Sequence, residues 1–184
     1  AIRQEEGFIH VAQSVFRDSE SGILSASDPG GEIKIERSVF SGLGRCDRGL
    51  SCAHSIYIGD YGKLSVTRSR FERGRGGHYV KTRTRFTEVT DSQFDDRSGS
   101  ATNYMIDLSN GGSGTIAGNT FIQGSDKENY SALIAVAAEG AEQPTNLVVT
   151  GNKAVLGPGA PRRTSFVADA SSGRIRIENN ILAP

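Results

Sequence analysis

The sequence predicts an all-β protein, a single-stranded parallel β-helix of about seven coils filling residues 1–184 as one domain. Three observations lead there. One short phrase recurs along the whole chain, and a second apolar run follows its middle copies. Nothing between them offers the roughly 10 to 12 residues of amphipathic spacing that a crossover helix needs.

The first phrase reads apolar, two residues, Ser or Asn, one residue, apolar. It stands at Val11–Phe16, Ile35–Phe40, Val66–Phe71, Val89–Phe94 and Ile116–Phe121, with weaker copies at Val149–Ala154 and Ile177–Leu182. The Ser/Asn positions are 14, 38, 69, 92, 119, 152 and 180, a mean period near 28. A sharp bend explains them, because Asn tolerates the left-handed region and its amide can stack on the copies above and below. This column builds the fold and does no chemistry.

The second phrase is a short strand: Ser55–Asp60, His78–Arg83, Tyr104–Ser109, Ala132–Ala137 and Ser165–Ala170. Small turn residues follow most copies, at Tyr61-Gly62, Asn110-Gly111-Gly112, Glu139-Gly140 and Ser171-Ser172-Gly173, before the first phrase begins again. Each unit is strand, tight turn, strand, bend, strand and a loop of variable length. Such a unit owns half a core and must stack to bury it. At ~4.8 Å per coil, seven coils make a rod on the order of 30 Å long.

Composition narrows the function. The chain has 21 basic and 21 acidic residues, so a globally basic nucleic-acid binder is ruled down. No apolar run approaches the roughly 18 residues of a membrane span. Ala1 to Gly7 is polar and reads as no signal peptide, which fits a processed chain or a piece of a longer one. Cys46 and Cys52 lack partners for a zinc site, since His54 does not complete four ligands. A disulfide closing the loop, and with it a secreted or periplasmic protein, is expected; the alternative is two free thiols in a cytosolic chain.

The repeat resembles the right-handed β-helix of the pectate-lyase-like superfamily. Gly77–Arg83, Ile106–Gly112 and Ala138–Gly140 are similar to a bacterial group of right-handed β-helix repeat proteins of undefined activity. The superfamily holds polysaccharide lyases, uronate epimerases and glycoside hydrolases, and the fold also serves adhesins and phage tail proteins. Such proteins commonly begin with a capping helix, for which Ala1 to Gly7 is too short, so earlier coils are expected to be missing. The resemblance implies a substrate groove along the second phrase.

Aligning the copies of that phrase places Tyr57, Val80, Ile106, Ile134 and Val167 in one inward column, and Ile58, Lys81, Asp107, Ala135 and Ala168 outward. Asp60 and Arg83 then share the outermost column. Lys81 becomes the candidate base, activated by Arg83, and its outward side chain should contribute little packing. Arg83 or Arg75 would clamp a substrate carboxylate. His78 and Tyr104 are candidate acids or bases whose parity points inward, so His78 reads equally well as structural. Asp107 would orient Lys81 or His78.

Arg75, Asp60, Asn110 and His54 complete the candidate binding residues, although His54 in such a place is most often a plain loop histidine. Between Arg68 and Arg85 stand seven basic residues against Glu72 alone, a positive patch suited to an anionic polymer; its bland counterpart is a solvated face paired with Asp91, Asp95 and Asp96. Without an aromatic platform, nucleic acid fits it poorly. Hydrolysis would need two well-placed carboxylates, and Asp60 and Asp107 have cations between them. No cofactor is expected. Calcium, which many β-helix lyases use, would find only Asp60, Asp107 and Asn110. The chain reads as a monomeric lyase or C5-epimerase acting on a uronate-containing acidic polysaccharide, the alternative being a non-catalytic binding or structural module.

Overall fold

The computed structural model describes residues 1–49 and 51–183. The described strands form three parallel sheets of seven strands each, with one further two-stranded pair, Arg75–Gly77 beside Ser100–Thr102. The chain visits the three sheets in turn and does so seven times. The coil that matters most for the site enters the first sheet at Val80–Thr82, the second at Phe86–Thr90 and the third at Gln93–Asp95. Its neighbours on the first sheet are Ile56–Ile58 and Ile106–Leu108, with Ala132–Val136 one coil further on.

Alternation along each strand decides what enters the core. On the first sheet Ile23, Ile56, Val80, Ile106 and Ile134 are buried in one inward column. The second sheet contributes Ile35, Val66, Val89, Ile116 and Val149. From the third come Phe16, Phe40, Phe71, Phe94 and Phe121, stacked with centroids 4.9, 4.8, 4.8 and 5.1 Å apart. That spacing is the separation of adjacent strands, so each ring lies on the ring of the coil below.

The Ser/Asn column sits at the bend between the second and third sheets and forms a ladder through all seven coils. Ser14 N–H donates to Ser38 Oγ, Ser38 N–H to Ser69 Oγ, and Ser69 N–H to Ser92 Oγ, at 3.0–3.2 Å. The amides continue it: Ser92, Asn119 and Asn152 N–H donate to the Oδ1 of Asn119, Asn152 and Asn180 at 2.9–3.0 Å. One expectation needs correction. The left-handed residue is the one before Ser or Asn: Gln13, Arg37, Arg68, Asp91, Gly118, Gly151 and Asn179 all have φ between 47° and 68°. The Ser or Asn side chain is needed for the ladder instead, where it takes a backbone N–H that the bend turns away from the strands.

A second correction concerns register. Val80 pairs with Ile56, and Lys81 with Tyr57, so Tyr57 points outward and Ile58 inward, one residue from the alignment by sequence. Apart from that shift, each strand is preceded by a bend at equivalent positions, Ser55, Tyr79 and Met105. Tyr79 and Met105 turn into the core there, and the alternation restarts after them. Counting by twos across the bend therefore gives the wrong face for everything on its N-terminal side.

Just after the third-sheet strand Gln93–Asp95 lies a buried polar knot. Lys127 Nζ is 3.1 Å from Asp96 Oδ2, with side chains 1% and 0% exposed. Tyr79 Oη donates to Asp96 Oδ1 at 2.6 Å, and Thr102 Oγ1 donates to the same carboxylate. Burial pushes the Tyr79 hydroxyl well up, and the Asp96 charge pushes it the same way. Lys127 also reaches Asn103 O, so this knot fixes the loop that leads to Tyr104.

Candidate functional site

A groove of about 880 Å³ runs along the outer face of the first sheet. Its floor carries Tyr57, Lys81 and Arg83, its walls His54 with Ser51 and Cys52 on one side and Glu139 and Glu128 among the others. Lys81 and Asp107 are register partners on adjacent coils. Lys81 Nζ stands 3.3 Å from Asp107 Oδ2 and donates to Glu139 Oε1. Arg83 donates through Nη2 to Glu139 Oε2, through Nη1 to Asn110 Oδ1 and through Nε to Tyr57 Oη at 3.1 Å. One carboxylate, that of Glu139, thus bridges both cations.

Beside this cluster three rings stack up the rod. His54 lies on His78 at 4.8 Å, and His78 on Tyr104 at 5.4 Å. His78 Nε2 faces Asp107 Oδ2 at 3.5 Å, and its backbone N–H donates to His54 Nδ1 at 3.0 Å. Burial, with the Lys81 charge adding to it, pushes His54 down to about 3. Burial pushes His78 down to about 2, His54 and Lys81 reinforcing it. Both rings are neutral near pH 7. Burial raises Asp107 despite Lys81 and Ser109, whose Oγ donates to Oδ2 at 2.8 Å. For Glu139 the two cations outweigh its burial and hold its carboxyl below the usual range.

A family model for the right handed beta helix region matches residues 2–182. The chain belongs to that family. Comparison with curated proteins and with solved structures found no match.

In this right-handed β-helix protein several candidates stand apart from the groove. Asp60 lies in the turn after the first-sheet strand, its backbone N–H donating to Ser27 Oγ at 3.3 Å; the one-residue register shift removes it from Arg83, whose strand partner position is Gly59. Arg75 lines a second hollow with Arg45, Cys46 and Asp47. The basic run from Arg68 to Arg85 is not a patch. It is most of one coil and so circles the rod: Arg68 meets Glu36 at 3.6 Å, Arg70 meets Glu72, and Lys81 and Arg83 reach the groove. Asp95, from the expected paired face, holds Arg97 at 2.6 Å and also meets Arg70 of the basic run at 3.9 Å, while Asp91 lies beside Gly118 at the next bend.

His78 and Tyr104 do not point into the core as their parity suggested, because the bends at Tyr79 and Met105 reverse it. Lys81 is not a free outer side chain either, being only 7% exposed. Cys46 and Cys52 form a disulfide, and Cys52 lines the groove. Among the described residues no helix is long and apolar enough to cross a membrane.

Two residues that hold Lys81 or Arg83 were not selected from the sequence. Tyr57 was placed inward by the shifted alignment. Glu139 was visible only as a turn residue before Gly140, and no local pattern reveals that it reaches back two coils to Lys81. Its turn is shaped by Ala137 at φ 57° and Gly140 at φ 142°, and by Glu139 N–H donating to Ser109 O at 3.0 Å.

Proposed function

We propose that this groove binds a uronate-containing acidic polysaccharide and that the reaction its groups suit is β-elimination or C5 epimerisation. One observation carries the reading: Lys81 and Arg83 converge on a single carboxylate at the groove floor, which is the arrangement a uronate carboxylate requires. Both reactions begin with loss of the proton α to that carboxylate, and two adjacent cations stabilise the charge that develops on it. In elimination the C4–oxygen bond then breaks and the leaving oxygen takes a proton; in epimerisation the proton returns to the opposite face. Lys81, a cation held by Asp107, is assigned to deliver a proton, and the neutral His78 or Tyr104 to remove the one from C5. Hydrolysis is disfavoured, because Asp107 is 2% exposed beneath Lys81 and cannot reach a glycosidic oxygen.

A second reading, binding without chemistry, has its own observation. Three nitrogens that could take a proton are occupied or covered: Lys81 Nζ is ion-paired, His54 Nδ1 accepts a backbone N–H, and His78 Nδ1 is buried. The disulfide supports a secreted or periplasmic location for either function, since such bonds persist in oxidising compartments.

The deciding experiment is a panel of alginate, pectate, glycosaminoglycans and bacterial exopolysaccharides. Elimination appears as absorbance of the unsaturated uronate, epimerisation as solvent deuterium entering C5 without chain cleavage. Lys81→Ala or Tyr104→Phe should reduce turnover at least ~100-fold if the residue moves the proton. Binding without either signal selects the second reading, and no binding to any uronate polymer ends both.

A further inference from the structure

The Glu139 carboxylate is in an unusual position for a structural ion pair. It comes from the turn after Ala132–Val136, one coil beyond Asp107 and two beyond Lys81, and it covers the groove floor from outside. Its two oxygens are divided between the two cations, Oε1 to Lys81 and Oε2 to Arg83. Its side chain is 42% exposed, whereas those of Lys81 and Arg83 are 9% and 26% exposed. The anion is therefore the outermost and most easily moved member of the cluster.

We propose that Lys81 and Arg83 form a subsite for one carboxylate group of the acidic polysaccharide, and that Glu139 is an internal occupant which the incoming carboxylate displaces. This rests on the reading of the groove given above and adds how the site selects its ligand. Exchange of one carboxylate for another leaves the charge of the cluster unchanged. When Glu139 moves off, Asp107 still neutralises Lys81 at 3.3 Å, and Tyr57 and Asn110 still hold Arg83. No buried charge is stranded, so displacement avoids the cost of breaking a buried pair outright.

The turn can stay in place while the side chain leaves. Glu139 N–H is fixed to Ser109 O at 3.0 Å and Gly140 N–H to Ala137 O at 3.2 Å, both through backbone atoms. A Cβ on Gly140 would meet only Glu142 Cγ, at 4.0 Å, so there is open space beside the turn. A neutral sugar has nothing to exchange for the Glu139 carboxylate and leaves the cations closed. Selection for uronates over neutral sugars follows from that competition.

The test is titration calorimetry of tetramers of galacturonate and of mannuronate, with maltotetraose as the neutral control, against the protein and its Glu139→Gln variant. Circular dichroism and thermal melting first establish that the variant is folded. Glu139→Gln should bind the acidic tetramers roughly 2- to 5-fold more tightly, the scale of a half-exposed ion pair removed as competitor. Maltotetraose binding should not change, and adding Arg83→Ala to Glu139→Gln should abolish the gain. In the unsubstituted protein, the ¹³C resonance of the Glu139 carboxyl should move toward that of a free carboxylate on saturation with an acidic tetramer. If the protein binds acidic tetramers and Glu139→Gln binds them no better, or the resonance does not move, Glu139 is not a displaceable occupant, while the polysaccharide reading stands. If neither protein binds either acidic tetramer, both fail.

Discussion

Lys81 and Asp107 face each other from equivalent positions on adjacent coils, Nζ to Oδ2 at 3.3 Å, on the outer side of a sheet whose inner side is wholly apolar at Val80 and Ile106. Both are covered, so their charges are screened little by water, and each depends on the other. Lys81 is thus a stability residue as well as a site residue, against the expectation from its outward register.

Lys81→Met should destabilise the protein by about 3 kcal/mol, because it leaves Asp107 buried beside nothing but Ser109 and His78. The double variant Lys81→Met/Asp107→Leu should recover most of that loss. Urea unfolding of the two variants measures both effects, and equal stability of Lys81→Met and the unsubstituted protein would contradict the pairing.

Stability should fall on acidification from pH 6.5 toward 5. His54 and His78 have folded pKa values near 3 and 2, below the ordinary 6.5, so in this window the unfolded chain binds protons that the folded chain refuses. The unfolded state is favoured by about 1.4 kcal/mol per histidine for each pH unit below 6.5. Asp107, raised by burial, contributes with the opposite sign. Melting temperature against pH is the measurement; His54→Asn/His78→Asn should flatten the curve between pH 6.5 and 5.

Asn119 is a buried rung of the bend ladder. Its Oδ1 accepts Ser92 N–H at 2.9 Å, and its Nδ2 donates to Val89 O and Asn152 Oδ1. Asn119→Ala should cost about 2–4 kcal/mol, since buried donors and acceptors on the coils either side lose partners. Asn119→Ser should cost less, because Ser14, Ser38, Ser69 and Ser92 fill the same position with a hydroxyl. Chemical denaturation of the pair gives the ranking.

The Lys127–Asp96 knot should be intolerant of single changes. Lys127→Met leaves the Asp96 carboxylate fully buried with only Tyr79 and Thr102 as donors, at a cost of about 3–5 kcal/mol. Loosening of the loop at Asn103 should be visible as faster amide exchange at Asn103, whose N–H donates to Gly77 O at 2.8 Å.

Reducing the Cys46–Cys52 bond should lower stability by about 2 kcal/mol, the loop-closure entropy of so short a ring. Without reductant, intact mass should sit two hydrogens below that of the reduced chain. Two alkylatable thiols in natively oxidised protein would remove the disulfide from the groove wall.

Seven strands per sheet, the stacked phenylalanines and the ladder of Ser and Asn were legible in the sequence, because a β-helix repeats its own environment every coil. Phe40, Phe71, Phe94 and Phe121 recur at one place in a phrase, and a residue that must lie on its own copy leaves a period behind it. Lys81, Asp107 and Arg83 were placed on one outer face for the same reason. The tertiary structure alone decided what breaks the period. Bends at Tyr79 and Met105 reset the alternation, so His78 lines the groove with Tyr104 stacked on it, while the register of Ile56–Ile58 turns Tyr57 to the groove and takes Asp60 away from Arg83. Glu139 and Lys127 reach across coils from loops of unequal length, and a side chain that meets its partner 58 or 31 residues away has no spacing that a linear pattern records. Periodicity specifies the stacked strands because every coil imposes the same hydrogen-bond register. It leaves open the charges at the loop ends, whose partners depend on how far each loop carries the chain out from the rod and back.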